Sequence, residues 1–183
     1  MADSSNGTTT RLIRLAAVDG HRIDTNGAPS AQVALQRSSD DTPPFPIDAI
    51  VLEEDTGLVL NAELDIRDDG GHPIRIMTNL YDFEAAQVGE VIVRGRNPYR
   101  FLAVVHDFER EPACREAWVV GALRTILKKC VELRIRALGM QMLGTRFGPF
   151  TRAWFIQQLE SELAAFALGR LDRIWLMDEP DDG

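Results

Sequence analysis

Residues 140–150 read MQMLGTRFGPF, and their types are suited to holding an anion. Gly144 and Gly148 bracket Thr145, Arg146 and Phe147, and an apolar run stops abruptly at Gly144. Glycines let a backbone approach a phosphate closely. A threonine hydroxyl and an arginine guanidinium offer donors to its oxygens. Phe147 is placed to shield the site or stack on a ring. The same residues also suit a plain strand-to-helix turn that needs glycine for its backbone angles. The stretch is not a Walker loop, because no Gly-Lys-Ser/Thr triplet follows.

Glu53, Glu54 and Asp55 form a second set. Carboxylate oxygens are the ligands that Mg²⁺ and Ca²⁺ prefer. Neighbours on a strand point to opposite faces, however, so the run is expected to be a solvated strand end and not a metal site. Asp55, Thr56 and Gly57 also spell the triplet of aspartic proteases, whose chemistry needs two carboxylates sharing one proton. The residues before that triplet are normally apolar; here they are Glu53 and Glu54, which argues against a protease. His106 has the titration range of a general base, but no motif sets a serine or cysteine nucleophile beside it. It is expected in or near the core. His21 and His72 have no ligand-like spacing.

Cys114 and Cys130 form no CxxC pair and are expected as reduced, partly buried thiols. Both lie in or beside one predicted helix, which rises about 1.5 Å per residue and so keeps them too far apart for a disulfide. No catalytic set, cofactor motif or metal site emerges.

The elements that must position these residues change character near residue 99. Before it, short apolar runs alternate with turns. Residues 11–20 read as a strand ending at Asp19-Gly20, and residues 30–37 as a short helix with Ser30 as its N-cap. Three prolines make residues 38–46 a loop. Residues 47–54 and 89–95 read as strands, and residues 62–79 as a hairpin turning at Asp68-Asp69-Gly70-Gly71. After residue 99 the pattern is cleaner. Residues 99–108 form a nearly continuous apolar strand, as expected of one buried on both faces. Pro112 opens a helix in which Trp118, Val119, Ala122, Leu123, Ile126, Leu127, Cys130 and Val131 recur at helical spacing. Residues 136–143 are a buried strand. A second helix from Pro149 or Thr151 carries Phe155, Leu159, Leu163 and Phe166 on one face and stops at Gly169. Residues 171–179 are the last strand. Trp118 and Trp154 are expected as core anchors, together with Met140 and Met142. Strand, helix, strand, helix, strand implies a parallel sheet covered by helices.

A chain of 183 residues suggests one domain, and 45% hydrophobic residues supply a core. Residues 1–10 read as a flexible tail and residues 11–183 as the domain. The net charge of −8, with basic and acidic residues interleaved, argues against nucleic acid and against anionic membranes as partners. No run reaches the roughly 18 apolar residues of a membrane span. No secretory signal is read at the start, and the thiols fit a reducing cytoplasm.

Residues 89–179 resemble the second half of a macro domain, an α/β/α module that in many cases binds ADP-ribose. The strand FLAVVH ends at His106, and ALRTILKKCVELRIRALGMQMLGTRFG supplies a helix, a strand and a glycine-bracketed loop. The N-terminal domain of leucine aminopeptidases is similar in plan. The first half departs from the pattern. Where the family has an asparagine-bearing loop, this chain has Leu52, Glu53, Glu54 and Asp55, and the glycine-rich loop that follows is replaced by the 62–79 hairpin. Asp19 takes the place of the family's adenine-contacting aspartate. The resemblance implies a three-layer α/β/α domain with a mixed sheet, parallel through its C-terminal half. It implies a phosphorylated small molecule or ADP-ribose-like ligand at Gly144, Thr145, Arg146, Phe147, Gly148 and Asp19. Two alternatives stand beside it: an interaction module, able to form a homo-oligomer, that has lost the ligand, and a hydrolase of an ADP-ribose derivative.

Overall fold

The buried apolar strands of the second half organise everything else. The computed structural model describes residues 9–14, 32–38, 42–61 and 85–178. In chain order its elements are β1 (Thr9–Arg14), β2 (Gln32–Ser38), β3 (Ala49–Asp55), β4 (Val91–Arg94), β5 (Tyr99–His106), α1 (Glu116–Glu132), β6 (Ala137–Gln141), α2 (Arg152–Ala165) and β7 (Arg173–Met177). All seven strands join one sheet in the order β1-β2-β7-β6-β3-β5-β4. The pairs from β2 through β7, β6 and β3 to β5 are parallel, and β1 and β4 pair antiparallel at the two edges.

The chain runs from β5 past β3 to β6, then on to β7 in the same direction. Right-handed crossovers taken in one direction place their helices on one face of the sheet. The contacts agree: α1 packs on β5, β4 and α2. Its apolar stripe of Val119, Ala122, Leu123, Ile126, Leu127 and Cys130 is buried. From α2, Phe155, Leu159 and Leu163 enter the same core. Arg124 of α1 donates two hydrogen bonds, of 3.0 and 2.9 Å, to the carboxylate of Glu162 on α2. The expected α/β class, with its mixed sheet and parallel second half, is present and is in keeping with a three-layer α/β/α architecture. No helix among the described residues is long and apolar enough to cross a membrane.

Several boundaries differ from expectation. Residues 30–37 are expected as a short helix, but Gln32–Ser38 form strand β2. Gln, Ala, Leu and Arg favour a helix locally, but β2 is held between β1 and β7, and tertiary pairing overrides so weak a preference. β1 begins at Thr9, inside the segment expected to be a tail. α1 starts at Glu116, four residues after Pro112, with Arg115 in an extended conformation before it. α2 ends at Ala165 because Phe166 is already extended. Gly169, with φ of 58°, serves the next turn and not the helix end. The 62–79 hairpin, Asp19, His21 and His72 lie outside the described residues.

Two glycines with opposite surroundings make a direct test of the packing. Gly139 lies on β6 under Trp175, whose Nε1 donates to Ser38 Oγ at 2.9 Å. A Cβ at Gly139 would stand 3.0 Å from Trp175 Cε3 and 3.3 Å from Ile47 Cδ1. A Cβ at Gly121, in the middle of α1, meets nothing within 4 Å. In urea titrations Gly121→Ala should therefore gain about 0.5–1 kcal/mol. Gly139→Ala should lose about 1–3 kcal/mol by overpacking.

Candidate functional site

Strands β3, β5 and β6 all end on one side of the sheet, and the residues with chemistry meet there. β3 and β6 pair only from Ala49–Leu138 to Val51–Met140. Beyond that register they part, and the side chain of Gln141 spans the gap, accepting the Glu53 amide at 2.7 Å. From β3 the chain turns toward β5, and from β6 it runs the other way to β7. A crevice beyond the carboxyl ends of strands at such a reversal is where α/β proteins bind ligands.

Glu53 lies at the centre, only 2% exposed. Its Oε1 accepts the Gly144 amide at 2.9 Å and also faces His106 Nε2 in a short hydrogen bond. Asn61 Nδ2 donates to the Glu53 carbonyl at 2.6 Å. The expectation of a solvated acidic strand end is therefore corrected: Glu53, Glu54 and Asp55 are all buried. Each meets its own partners because alternate side chains point to opposite faces. Asp55 accepts from the Gly57 and Val59 amides and so caps the turn after β3. Its carboxylate is occupied in this way, which removes the protease reading. Glu54 Oε1 accepts the Asn61 amide at 3.0 Å, while its Oε2 has no partner among the described residues. Burial raises the Glu54 carboxyl above its ordinary range, against the lowering effect of the hydrogen bonds from Asn61, and neighbouring Asp55 adds to the rise. Among the described residues no group of three potential ligands is disposed to hold a metal.

His106 is fully buried, as expected of a core histidine. Phe108 stacks on it at 5.4 Å between centroids with planes 8° apart, and Phe147 meets it edge-on at 6.2 Å. Both phenylalanines stand in solvent, 54% and 43% exposed. Cys114 bridges to His106 across the chain and is buried. Burial, and then the charge of Glu53, push its thiol up to about 12, so it is no nucleophile at neutral pH.

The Gly144–Gly148 stretch is a compact turn. Gly144 has φ of 74°, and a Cβ there would stand 2.6 Å from Phe150 Cδ2. At Gly148 a Cβ would come within 2.6 Å of the Gly144 carbonyl oxygen, which accepts the Phe150 amide at 3.1 Å. The Thr145 amide and hydroxyl both donate to the Met142 carbonyl, at 3.2 and 2.7 Å. Gly144 and Thr145 thus use their donors inside the fold. Arg146 and Phe147 face outward together, the guanidinium carbon 4.9 Å from the ring centroid. Helix α2 starts only at Arg152, and its N-cap Thr151 accepts the Trp154 amide at 3.2 Å. The turn therefore brings Phe147 against His106 with Arg146 over its ring, and the helix begins four residues after Gly148. Sequence reasoning missed Phe108, Gln141 and Asn61. Phe108 alone carried a signal, as a large apolar residue just past the end of a buried strand.

Removing the central carboxylate leaves the Gly144 amide and the His106 ring without their acceptor. Glu53→Ala should cost about 3–5 kcal/mol in urea unfolding. Glu54 behaves oppositely. Its proton is held more tightly in the folded state, so its contribution is fullest in acid and is lost as pH rises through its folded-state range. Glu54→Gln should match the wild type near about pH 4 and exceed it in stability near about pH 7.

No protein-family model matches this sequence, and no curated protein matches it. Solved structures do. The macrodomain of Thermus aquaticus DarG aligns with a TM-score of 0.59 at 19% identity, covering 79% of this chain and 97% of that one. The Oceanobacillus iheyensis macrodomain with ADP gives 0.62 at 12% identity, covering 96% and 90%. The macro domain of ganglioside induced differentiation associated protein 2 gives 0.57 at 13% identity, covering 79% and 76%. The similarity spans nearly the whole of the DarG module, and the fold implied by the resemblance of residues 89–179 is present: this chain has the macrodomain fold.

Proposed function

We propose that this protein is a binding module for a nucleotide of the ADP-ribose type, held in the crevice beyond β3, β5 and β6. The observation that carries this reading is the pair of exposed aromatic rings, Phe108 and Phe147, both against His106, with Arg146 over Phe147. Large apolar side chains seldom stand in solvent together without a partner to cover them. Ring faces take a base or the apolar face of a sugar, and a guanidinium takes a phosphate oxygen. Solved structures of the same fold are described with ADP and with ADPR bound, which supports the choice of ligand class. Gly148 lets the backbone approach the ligand, whereas the Gly144 amide serves Glu53.

A second reading has its own support. The Gly144 amide is engaged by the chain's own carboxylate, which suits an interaction module that no longer binds an anion there. Calorimetry with ADP-ribose, ADP, NAD and inorganic phosphate separates the two. Saturable binding of ADP-ribose is expected, and Phe147→Ala should weaken it by about 1–3 kcal/mol, the usual worth of an aromatic stacking platform. Gly144→Val is a poor probe, because it collides with Phe150 and forces a β-branched residue to positive φ. No heat with any of these compounds, from a folded protein that elutes as a stable oligomer, would favour the interaction module.

A further inference from the structure

The opposite end of the sheet carries a group of arginines that the crevice does not use. β6 and β7 run parallel and begin side by side, with Ala137 opposite Arg173. Arg136, Arg170 and Asp172 line a surface depression of about 270 Å³ there. β6 has five residues. At about 3.3 Å per residue, its length puts roughly 16 Å between this depression and the crevice at its carboxyl end.

Asp172 is divided between two arginines. Its Oδ2 accepts from Arg136 Nη2 at 2.7 Å and Nε at 3.2 Å, and its Oδ1 accepts from Arg173 Nε at 3.0 Å. Arg173 also lies over the Phe45 ring, its guanidinium carbon 5.3 Å from the centroid. Arg170 is exposed and has no partner among the described residues. Arg134, two residues before Arg136, holds φ of 57°, a backbone conformation that suits glycine better. The second acid at this end, Asp48, spends its Oδ2 on the backbone amides of Arg136 and Ala137, at 2.7 and 3.0 Å. Four arginines thus stand against two aspartates, in a chain whose net charge is −8.

Stability does not account for this excess. Exposed ion pairs contribute little to it, and one arginine would neutralise Asp172. What the aspartate provides is order. It fixes two planar guanidinium groups and leaves their remaining N–H donors for another acceptor. Donors held in place beforehand lower the ordering cost when an anion arrives.

We propose that this depression is a docking point for an acidic segment of a partner protein, with one carboxylate received by Arg170 and a neighbouring one by Arg136. The inference goes beyond the nucleotide reading and does not depend on it. Guanidinium and carboxylate groups match as planar, bidentate partners. Singly charged carboxylates suit the site because Asp172 lies within it and would repel a phosphate dianion more strongly. The negative charge of the whole chain opposes long polyanions in the same way, so nucleic acid and anionic lipid surfaces are not the expected partners.

A fluorescein-labelled hexaglutamate peptide, followed by anisotropy, is the probe. Saturable binding that weakens as salt is added is expected. Amide resonances of residues 170–173 should shift on titration, and those of residues 144–148 should not. Arg170→Glu breaks no contact among the described residues and should weaken the peptide roughly tenfold or more. Arg136→Gln should weaken it as well. Arg96→Glu makes the same change of charge at an exposed position after β4 and should leave the affinity nearly unchanged. An equal loss in Arg96→Glu would mark a response to overall charge alone and overturns the inference. Absence of peptide binding overturns it too, as do shifts confined to residues 144–148. Tighter binding of inorganic pyrophosphate or of a DNA duplex than of the peptide removes the acidic segment as the partner and overturns it equally.

Discussion

A single buried carboxylate, that of Glu53, sets the spacing of everything at the carboxyl end of the sheet. An acid withdrawn from water must recover its lost hydration from fixed donors. Those donors come from the turn after β6, through the Gly144 amide, and from the last residue of β5, His106. The position of one side chain therefore registers three segments that are remote in sequence. Gly144 is a glycine for reasons of its own: it adopts the left-handed conformation, and a side chain there would strike Phe150.

The two acids that follow show how a sheet can bury charge in succession. Alternation sends Glu53 and Glu54 to different faces, and the turn over residues 56–61 folds back to supply amides from Gly57, Val59 and Asn61. β3 thus ends in a network of carboxylates and backbone donors and not in open water. The aromatic and guanidinium groups beside it, Phe108, Phe147 and Arg146, come from the segments after β5 and β6.

How much of this was legible depended on where each residue's partner lay. The strands and helices after residue 99 follow from local apolar periodicity, since Val119, Leu123, Ile126 and Phe155, Leu159, Leu163 face a core that the pattern itself implies. The fold resemblance came from the same half. β2 was misread because its helix-favouring residues become a strand only through pairing with β1 and β7. The acidic run was misread for a related reason. Its burial depends on Gly144, which lies 91 residues away, and on a turn whose inward fold has no sequence signature. The glycine-bracketed loop was visible as a loop. That its first amide is already committed was not, because a hydrogen bond to a side chain on another strand leaves no trace in local composition.

That commitment has a consequence for how the turn meets a partner. Anion-holding loops often take shape around their ligand, so recognition carries the entropy of ordering them. Here the chain carries its own counter-charge in Glu53, and the turn is ordered when the protein folds. If the proposed ligand binds here, it meets a wall already formed, and recognition need not order the turn.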